Sequence, residues 1–182
     1  MRMKKKIILN AVGIQSALER MSSRIAADFS SEGQLVLIGI RTGGAFLADR
    51  LKHLIQAQKN QTVITGALDI TLYRDDWTRI NHKPIVGKTE VPVSLDEQIV
   101  ILVDDVLYTG RTVRSALDAL IDFGRPRRIA LAVLVDRGGR EFPICADYVG
   151  IPVEATAQER VNVYFKEMKQ SDQVVVEEGT EP

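Results

Sequence analysis

The sequence is poor in several features that mark particular classes of protein. Its single cysteine, Cys145, excludes a framework of internal disulfides. It has no apolar run of membrane length and no pattern of a signal peptide, so we expect a cytoplasmic protein without a membrane partner. Its 24 basic and 24 acidic residues balance, which gives no global attraction to nucleic acid. A local basic patch is still compatible with that balance.

Two nucleotide-binding motifs are also missing. The sequence contains neither GxGxxG nor GxxxxGK[ST], so dinucleotide and P-loop sites lose their usual support. His53 and His82 have no acidic or cysteine neighbour at ligand spacing, and we predict no dedicated metal site. The length of 182 residues fits one domain. We expect an ordered core over 7–176, a frayed acidic tail over 177–182 and a solvated basic terminus over 1–6.

Apolar periodicity predicts alternating helices and strands. The spacing of three and four residues from Ile14 to Phe29 is typical of an amphipathic helix. Such alternation favours an α/β fold with a mostly parallel sheet flanked by helices. The polar interval 74–90 has few apolar anchors and is predicted to be a mobile hairpin or lid. The other predicted elements are strands or extended segments at 35–40, 62–73, 99–103, 129–135, 147–149, 161–165 and 174–176, and helices at 45–55 and after Gly110.

Two adjacent carboxylates follow the most apolar strand. Ile99 to Val103 is uninterrupted and apolar, which is typical of a central parallel strand, and Asp104 and Asp105 come next. Ligands bind at the carboxyl ends of such strands. Carboxylates accept hydrogen bonds only, so the pair suits the vicinal diol of a ribose. A solvated turn, a helix cap or a magnesium site are the alternatives.

A loop and a helix start follow the acidic pair. The helix N-terminus presents free N–H groups at the positive end of its dipole, which favours an anion such as a 5-phosphate. Thr109 and Thr112 add hydroxyl donors, and Gly110 allows close approach of the backbone. The predicted ligand-binding run is therefore Asp104, Asp105, Val106, Leu107, Tyr108, Thr109, Gly110, Arg111 and Thr112.

The segment Val100–Thr112 resembles the 5-phosphoribosyl-1-pyrophosphate (PRPP) motif of type I phosphoribosyltransferases. Three further segments, 68–76, 131–138 and 146–150, narrow the resemblance to the PyrR family of pyrimidine operon regulators, over about 7–176. The resemblance implies the type I phosphoribosyltransferase fold, with a flexible catalytic loop and a small hood. It implies the reaction of uracil with PRPP to give UMP and pyrophosphate, with Mg²⁺ carried mainly by PRPP. UMP or UTP as ligands and a homodimer or higher oligomer are further implications.

The same resemblance assigns catalytic positions. Arg41 and Thr42 correspond to the pyrophosphate loop, Arg74 to the catalytic loop and Asp105 to the PRPP motif, with Tyr73 and Asp75 as further substrate contacts. Arg137 ends a core strand, where it could read uracil, and Trp77 is expected to anchor the catalytic loop. This sequence has Gly43 where the family usually carries arginine. We therefore expect Gly43→Arg to raise turnover by about tenfold, or about 1.4 kcal/mol.

The regulatory half of the resemblance is thinner. Attenuators of the family carry cations or polar residues at positions where this chain has Gly139, Cys145, Ile151 and the run 152–154. Phosphate contacts dominate nucleic-acid affinity, so binding to pyrimidine-operon leader mRNA is expected to be weak. Arg127, Arg128 and Arg140 remain in this region. Two alternatives stay open: an RNA-binding regulator with vestigial catalysis, and a phosphoribosyltransferase for another base such as hypoxanthine.

Overall fold

The computed structural model describes residues 5–58, 61–73 and 87–178. Eight strands and three helices form within these ranges. No helix in the described ranges combines the length and apolar character needed to cross a membrane. In chain order the elements are β1 Lys5–Leu9, α1 Ala11–Asp28, β2 Gln34–Ile40, α2 Gly43–Gln58, β3 Thr62–Leu68, β4 Ile99–Leu107, α3 Arg111–Leu120, β5 Arg128–Asp136, β6 Tyr148–Pro152, β7 Glu159–Tyr164 and β8 Gln173–Glu178.

The centre of the molecule is a five-stranded parallel sheet. Its order is β3-β2-β4-β5-β6, so the predicted central strand β4 does lie in the middle. Val36 pairs with Val100 on one side, and Val100 pairs with Ile129 on the other. Every residue of β4 from Ile99 to Val103 is buried, as expected for a strand covered on both faces. The predicted mostly parallel α/β sheet is confirmed.

Helices cover both faces of this sheet. Leu35 and Leu37 of β2 pack into a core shared with α1 and α2, whereas Val36 and Ile38 pack into a core shared with α3. This alternation follows from the period of two residues in a strand. Asn10 caps α1 by accepting a hydrogen bond from the Gly13 N–H at 2.9 Å. The sheet is therefore rigidly held, and its carboxyl edge is left for a site.

A second, smaller sheet forms the hood. It is antiparallel, with the order β1-β8-β7. The sequence predicted a solvated terminus, but Lys5 pairs with Glu177 and Ile7 with Val175, because β8 offers a partner edge from far along the chain. Strand β8 continues to Glu178, two residues into the predicted frayed tail. Residues 179–182 lie outside the described ranges.

Some boundaries differ from the sequence-based expectation. β3 ends at Leu68, and 71–73 form a turn rather than an extended segment, because the Asp69 carboxylate accepts the Thr71 N–H at 2.7 Å. β4 runs through the acidic pair and ends only at Leu107. The predicted lid over 74–90 falls mostly on 74–86, which lies outside the described residues. Arg74, Asp75, Trp77 and His82 are in that range.

Candidate active site

The acidic pair lies within β4, three residues before the strand ends. Asp104 is 5% exposed, so it is a buried carboxyl group rather than part of the solvated turn that the sequence left as one alternative. Its Oδ1 accepts the Asp105 N–H at 2.9 Å. The Oδ1 of Asp105 accepts the Val106 N–H at 2.8 Å. Both carboxyl groups are thus oriented by neighbouring backbone N–H groups, with acceptor capacity left over.

Burial sets the protonation of the pair. It raises the pKa of the Asp104 carboxyl well above its usual range, and the negative charge of Asp105 raises it further. Burial also raises the pKa of Asp105, although the hydrogen bond from the Val106 N–H opposes this shift. Hydroxyl groups that donate to the pair would favour the charged forms. The described residues contain no group of three or more His, Cys, Asp or Glu side chains placed to hold a metal ion.

The phosphate loop, Tyr108–Gly110, connects β4 to α3. Gly110 precedes the first helical residue and has φ of 91°, a left-handed conformation that glycine adopts without strain. The Thr109 hydroxyl accepts the Arg111 N–H at 3.3 Å. Thr112 is the second residue of α3, so its N–H lies in the first turn. The predicted residues from Asp104 to Thr112 are therefore brought together at the carboxyl edge of the sheet.

The pyrophosphate loop, Arg41–Thr42, connects β2 to α2, and its peptide bond is cis. Helix α2 begins directly at Gly43. A Cβ built on Gly43 would lie 2.7 Å from Cγ of Asp105 and would overlap that carboxylate. The α2 N-terminus thus approaches the Asp105 side chain more closely than a residue with a Cβ allows at the present position of that carboxylate. The expectation that Gly43→Arg simply adds a useful cation is revised, since any side chain here must displace Asp105.

The Arg41 side chain points to the chain that follows the undescribed segment. Its Nε donates to the Lys88 carbonyl oxygen at 2.7 Å, and its Nη2 lies 3.8 Å from Oε2 of Glu90. Glu90 also pairs with Ala67 of the edge strand β3 through two backbone hydrogen bonds. The charge of Arg41 is therefore partly balanced, and the guanidinium connects the pyrophosphate loop to residues 88–90.

Asp69 connects both flanks of the undescribed segment. Its carboxylate accepts hydrogen bonds from the Thr71 N–H and hydroxyl and from the Gly87 N–H. Burial opposes ionisation, but these hydrogen bonds more than offset it and hold the pKa of Asp69 below its usual range. In the sequence, Asp69 stands out only as part of segment 68–76, which resembles the PyrR family. The Asp-Ile-Thr spacing, typical of an Asx turn, was the available signal.

Arg137 lies between the phosphate loop and the hood. Its guanidinium carbon is 3.7 Å from the centroid of the Tyr108 ring. Its Nη2 donates to the carbonyl oxygens of Thr156 and Glu159, both at 2.8 Å. Its Nε is buried and has no hydrogen-bond partner among the described residues. The Nε–H is therefore a buried donor that no described residue satisfies.

Gly139 makes room for this stack. It has φ of 73°, and a Cβ at this position would lie 2.5 Å from Cε2 of Tyr108. In the sequence, Gly139 stands out only as a position where attenuators of the family carry a cation or a polar residue. The structure shows a second consequence, which is that the Tyr108 ring occupies the space of the absent side chain.

The three arginines predicted to remain for RNA all have internal partners. Arg127 forms an ion pair with Glu32 at 2.7 Å. Arg128 lies over the Phe29 ring, with its guanidinium carbon 5.2 Å from the centroid. Arg140 forms an ion pair with Asp136 at 2.7 Å. The two ion pairs offset the charges of Arg127 and Arg140, whereas the Phe29 contact leaves the charge of Arg128 uncompensated.

An acidic pair, followed by a loop that opens a helix at the carboxyl edge of a parallel sheet, is the arrangement that the resemblance to type I phosphoribosyltransferases implies. The chain belongs to the phosphoribosyl transferase domain family, whose model matches residues 5–165. It is 49% identical to the Bifunctional protein PyrR of Syntrophobacter fumaroxidans over 176 residues, which is 97% of this chain and 95% of that protein. It is 50% identical to the Bifunctional protein PyrR of Pelotomaculum thermopropionicum over 181 residues and 100% of both chains.

Solved structures agree on the fold. A hypoxanthine phosphoribosyl transferase of Trypanosoma cruzi has a TM-score of 0.75 and 21% identity, covering 97% of this chain and 93% of that one. A hypoxanthine phosphoribosyltransferase of Staphylococcus aureus has a TM-score of 0.70 and 19% identity, with the same coverage. At this level of identity the likeness confirms the type I phosphoribosyltransferase fold and says nothing of the base.

Proposed function

We propose that the chain is a uracil phosphoribosyltransferase of the PyrR type, which converts uracil and PRPP to UMP and pyrophosphate. The observation that carries this proposal is the pair of buried Asp104 and half-buried Asp105, which leads directly into the phosphate loop and α3. The near full-length identity of about half to two Bifunctional protein PyrR relatives supports the choice within the family.

Each part of PRPP has a proposed partner in the site. The ribose diol donates hydrogen bonds to Asp104 and Asp105, and the 5-phosphate sits against the phosphate loop and the α3 N-terminus. Arg41 and Thr42, with the α2 N-terminus behind them, face the pyrophosphate. Arg74, outside the described residues, is proposed to complete that subsite. Arg137, which lies between Tyr108 and the hood, is proposed to read the base.

The reaction needs no protein nucleophile. The bond from uracil N1 to ribose C1 forms as the bond from C1 to the pyrophosphate oxygen breaks, and the electron pair leaves with pyrophosphate while N1 releases its proton. The chain holds the two reactants in line, which is the main contribution of positioning. The helix N-termini and cations stabilise charge where it develops.

Mg²⁺ is proposed to arrive on PRPP. The half-buried Asp105 carboxylate supplies the hard oxygen donors that this ion prefers, so the site fits it. When bound, the ion would neutralise part of the negative charge of pyrophosphate. Removal of divalent metal with a chelator is expected to abolish product formation and to leave the fold intact.

Base specificity is tested directly. Purified protein, PRPP and Mg²⁺ are incubated with uracil, hypoxanthine or guanine, and nucleotide and pyrophosphate are quantified. We expect kcat/KM for uracil to exceed that for either purine by more than about tenfold, which corresponds to about 1.4 kcal/mol. Faster turnover of hypoxanthine would reassign the base, and no turnover of any base would favour vestigial catalysis.

Regulation of pyrimidine-operon mRNA is a second candidate function. The relatives' name, bifunctional, favours it. The ion pairs of Arg127 and Arg140 weigh against tight binding. In gel-shift titrations at fixed salt we expect leader RNA and an unrelated hairpin to bind alike, with Kd of roughly 10⁻⁴–10⁻⁶ M by analogy with non-specific DNA binding. Sub-micromolar, leader-selective binding strengthened by UMP would restore the regulatory function.

We also propose a homodimer or higher oligomer in the cytoplasm. The resemblance to the PyrR family supports this proposal, whereas single exposed apolar side chains such as Val12 and Ile121, 73% and 70% exposed, are ordinary on a monomer surface. Light scattering coupled to gel filtration is expected to give at least twice the mass of one chain, 20.2 kDa. A mass of one chain at all concentrations would reject this part.

A further inference from the structure

Arg140 makes an unusually complete set of hydrogen bonds behind the phosphate loop. The chain leaves β5 at Asp136 and turns back through Gly138 and Gly139, both in left-handed conformations. This turn aims the Arg140 guanidinium at the start of the loop. Its donors reach the Asp136 carboxylate at 2.7 Å and the carbonyl oxygens of Tyr108 at 2.9 Å, Ile144 at 2.9 Å, Gly138 at 3.3 Å and Leu107 at 3.4 Å.

Two of these carbonyls fix the direction of loop N–H groups. The Tyr108 carbonyl and the Thr109 N–H belong to one planar peptide unit, and in a trans unit they point in opposite directions. A cation that holds the carbonyl on one side therefore aims the N–H at the other side. The Leu107 carbonyl and the Tyr108 N–H are related in the same way. Hydrogen bonds to a charged donor also polarise the peptide units.

The neighbours of Arg140 continue the same arrangement. The N–H groups of Glu141 and Phe142 donate to the Thr109 carbonyl at 2.9 and 3.0 Å, and the Arg137 N–H donates to the Leu107 carbonyl at 2.9 Å. Three successive carbonyls, at residues 107, 108 and 109, are thus bonded to the segment 137–142. Each of the N–H groups of residues 108, 109 and 110 therefore points away from the group that bonds the carbonyl of its own peptide unit.

The ion pair with Asp136 holds Arg140 in place. The two side chains are 22% and 26% exposed, so this pair is less screened than one on the open surface. Burial opposes ionisation of Asp136, but the Arg140 guanidinium and the Gly138 N–H more than offset it and hold the pKa of Asp136 below its usual range. The carboxylate therefore stays charged opposite the guanidinium near neutral pH.

We propose that Arg140 is a positioning residue of the phosphate loop, which aims the N–H groups of Tyr108 and Thr109 at the 5-phosphate of PRPP. In the sequence, Arg140 is one of three arginines that remain for RNA binding. Its hydrogen bonds instead connect it to the phosphate loop. This inference rests on the proposed function, since it requires PRPP to be the ligand of the loop. It predicts an effect on PRPP and none on uracil.

The test compares Arg140→Gln, Arg140→Lys and the control Arg127→Gln. Arg127 is also an ion-paired arginine of this region, but its side chain is 52% exposed and contacts Glu32 rather than the loop. Calorimetric titration gives the Kd for PRPP, and steady-state kinetics gives KM for both substrates. We expect Arg140→Gln to raise Kd and KM for PRPP by about tenfold or more, with KM for uracil within about twofold. Arg140→Lys should fall between, and Arg127→Gln should match the wild type.

The outcomes separate this inference from the proposed function. If wild-type protein binds no PRPP, the proposed function fails. If wild-type protein binds PRPP and a folded Arg140→Gln variant binds it equally well, the positioning role is wrong. Equal rises in KM for PRPP and uracil would indicate a general structural role and would also overturn the inference. If Arg140→Gln does not fold, Arg140→Lys decides, since unchanged PRPP affinity in that variant contradicts the proposal.

Discussion

The phosphate loop and the pyrophosphate loop have the same local plan and are held in different ways. Each joins a parallel strand to the start of a helix, β4 to α3 and β2 to α2. The phosphate loop is held by added contacts, because residues 137–142 bond to three successive carbonyls, those of Leu107 at the end of β4 and of Tyr108 and Thr109 in the loop. The pyrophosphate loop depends on a missing side chain, because Gly43, the residue directly after it, leaves room for the Asp105 carboxylate.

The difference indicates how each loop responds to change. Contacts to backbone carbonyls do not depend on which side chains the phosphate loop carries, so its shape is set from outside. The pyrophosphate loop leads into Gly43, which lies against the Asp105 carboxylate, and bonds through Arg41 to Lys88. A change on either side of it is therefore transmitted to the acidic pair or to residues 88–90.

The largest loss of PRPP affinity is expected from a change in the acidic pair, which both loops adjoin. Asp104→Asn plus Asp105→Asn removes two charged acceptors, each worth roughly 1.5–3 kcal/mol. We expect PRPP affinity to fall by at least about 10²-fold in calorimetric titration, with the circular dichroism spectrum unchanged. Asp118→Asn, a half-exposed carboxylate on α3, is the control and should bind PRPP normally. A folded double variant with wild-type affinity would reject the ribose assignment.

The second test adds one methyl group at Gly43, the residue directly after the pyrophosphate loop. Gly43→Ala forces Asp105 to move, and a displacement of about 1 Å near reacting groups costs up to about 10²-fold in rate. We expect kcat/KM for PRPP to fall by about 10–100-fold, and Gly43→Arg to fall at least as far. Gly33→Ala is the matched control, since a Cβ there meets no atom within 4 Å. Increased turnover of Gly43→Arg would instead support the expectation from sequence alone.

The smallest expected effect is on thermal stability. Here the variant Asp104→Asn is expected to gain stability, whereas the variants above lose affinity or activity. The folded protein holds the Asp104 proton more tightly than the unfolded chain, because burial raises its pKa. This contribution to folding is complete below the unfolded pKa and is lost as the pH rises through the folded pKa. Asp104→Asn removes the buried charge, so we expect Tm of the unliganded protein to rise by about 2–6 °C at pH 8, from about 1–2 kcal/mol. The gain should shrink at pH 4, and a lower Tm at pH 8 would contradict this account.

The PRPP motif could be predicted because its parts are contiguous. The apolar run before Asp104, the Thr-Gly-Arg-Thr loop and the periodic helix each carry a local signal, and the structure places them together. The antiparallel pairing of β1 with β8 could not be predicted in this way. Its two strands lie at opposite ends of the sequence, and Lys5 to Leu9 has too little alternation to announce a strand.

The contacts behind the two loops were also beyond sequence reasoning. Gly43 and Asp105 are distant in sequence, and glycine has no side chain whose chemistry would indicate a partner. Arg140 was visible as a cation, but its carbonyl partners are backbone atoms that no residue pattern identifies. Residue type predicted which groups carry chemistry, whereas the geometry that orients them depends on tertiary packing.

The hood has a consequence for the order in which the molecule is completed. All five strands of the parallel sheet, β2 to β6, are made before β7 and β8, and β1 waits for β8 as its partner. Pairing across so long a loop is entropically costly and is typically slow. The phosphate loop and its supporting turn can therefore assemble on the nascent chain, while the hood carbonyls that hold Arg137 arrive only with β7. The contacts that hold Arg137 therefore form only after all five strands of the parallel sheet have been synthesised.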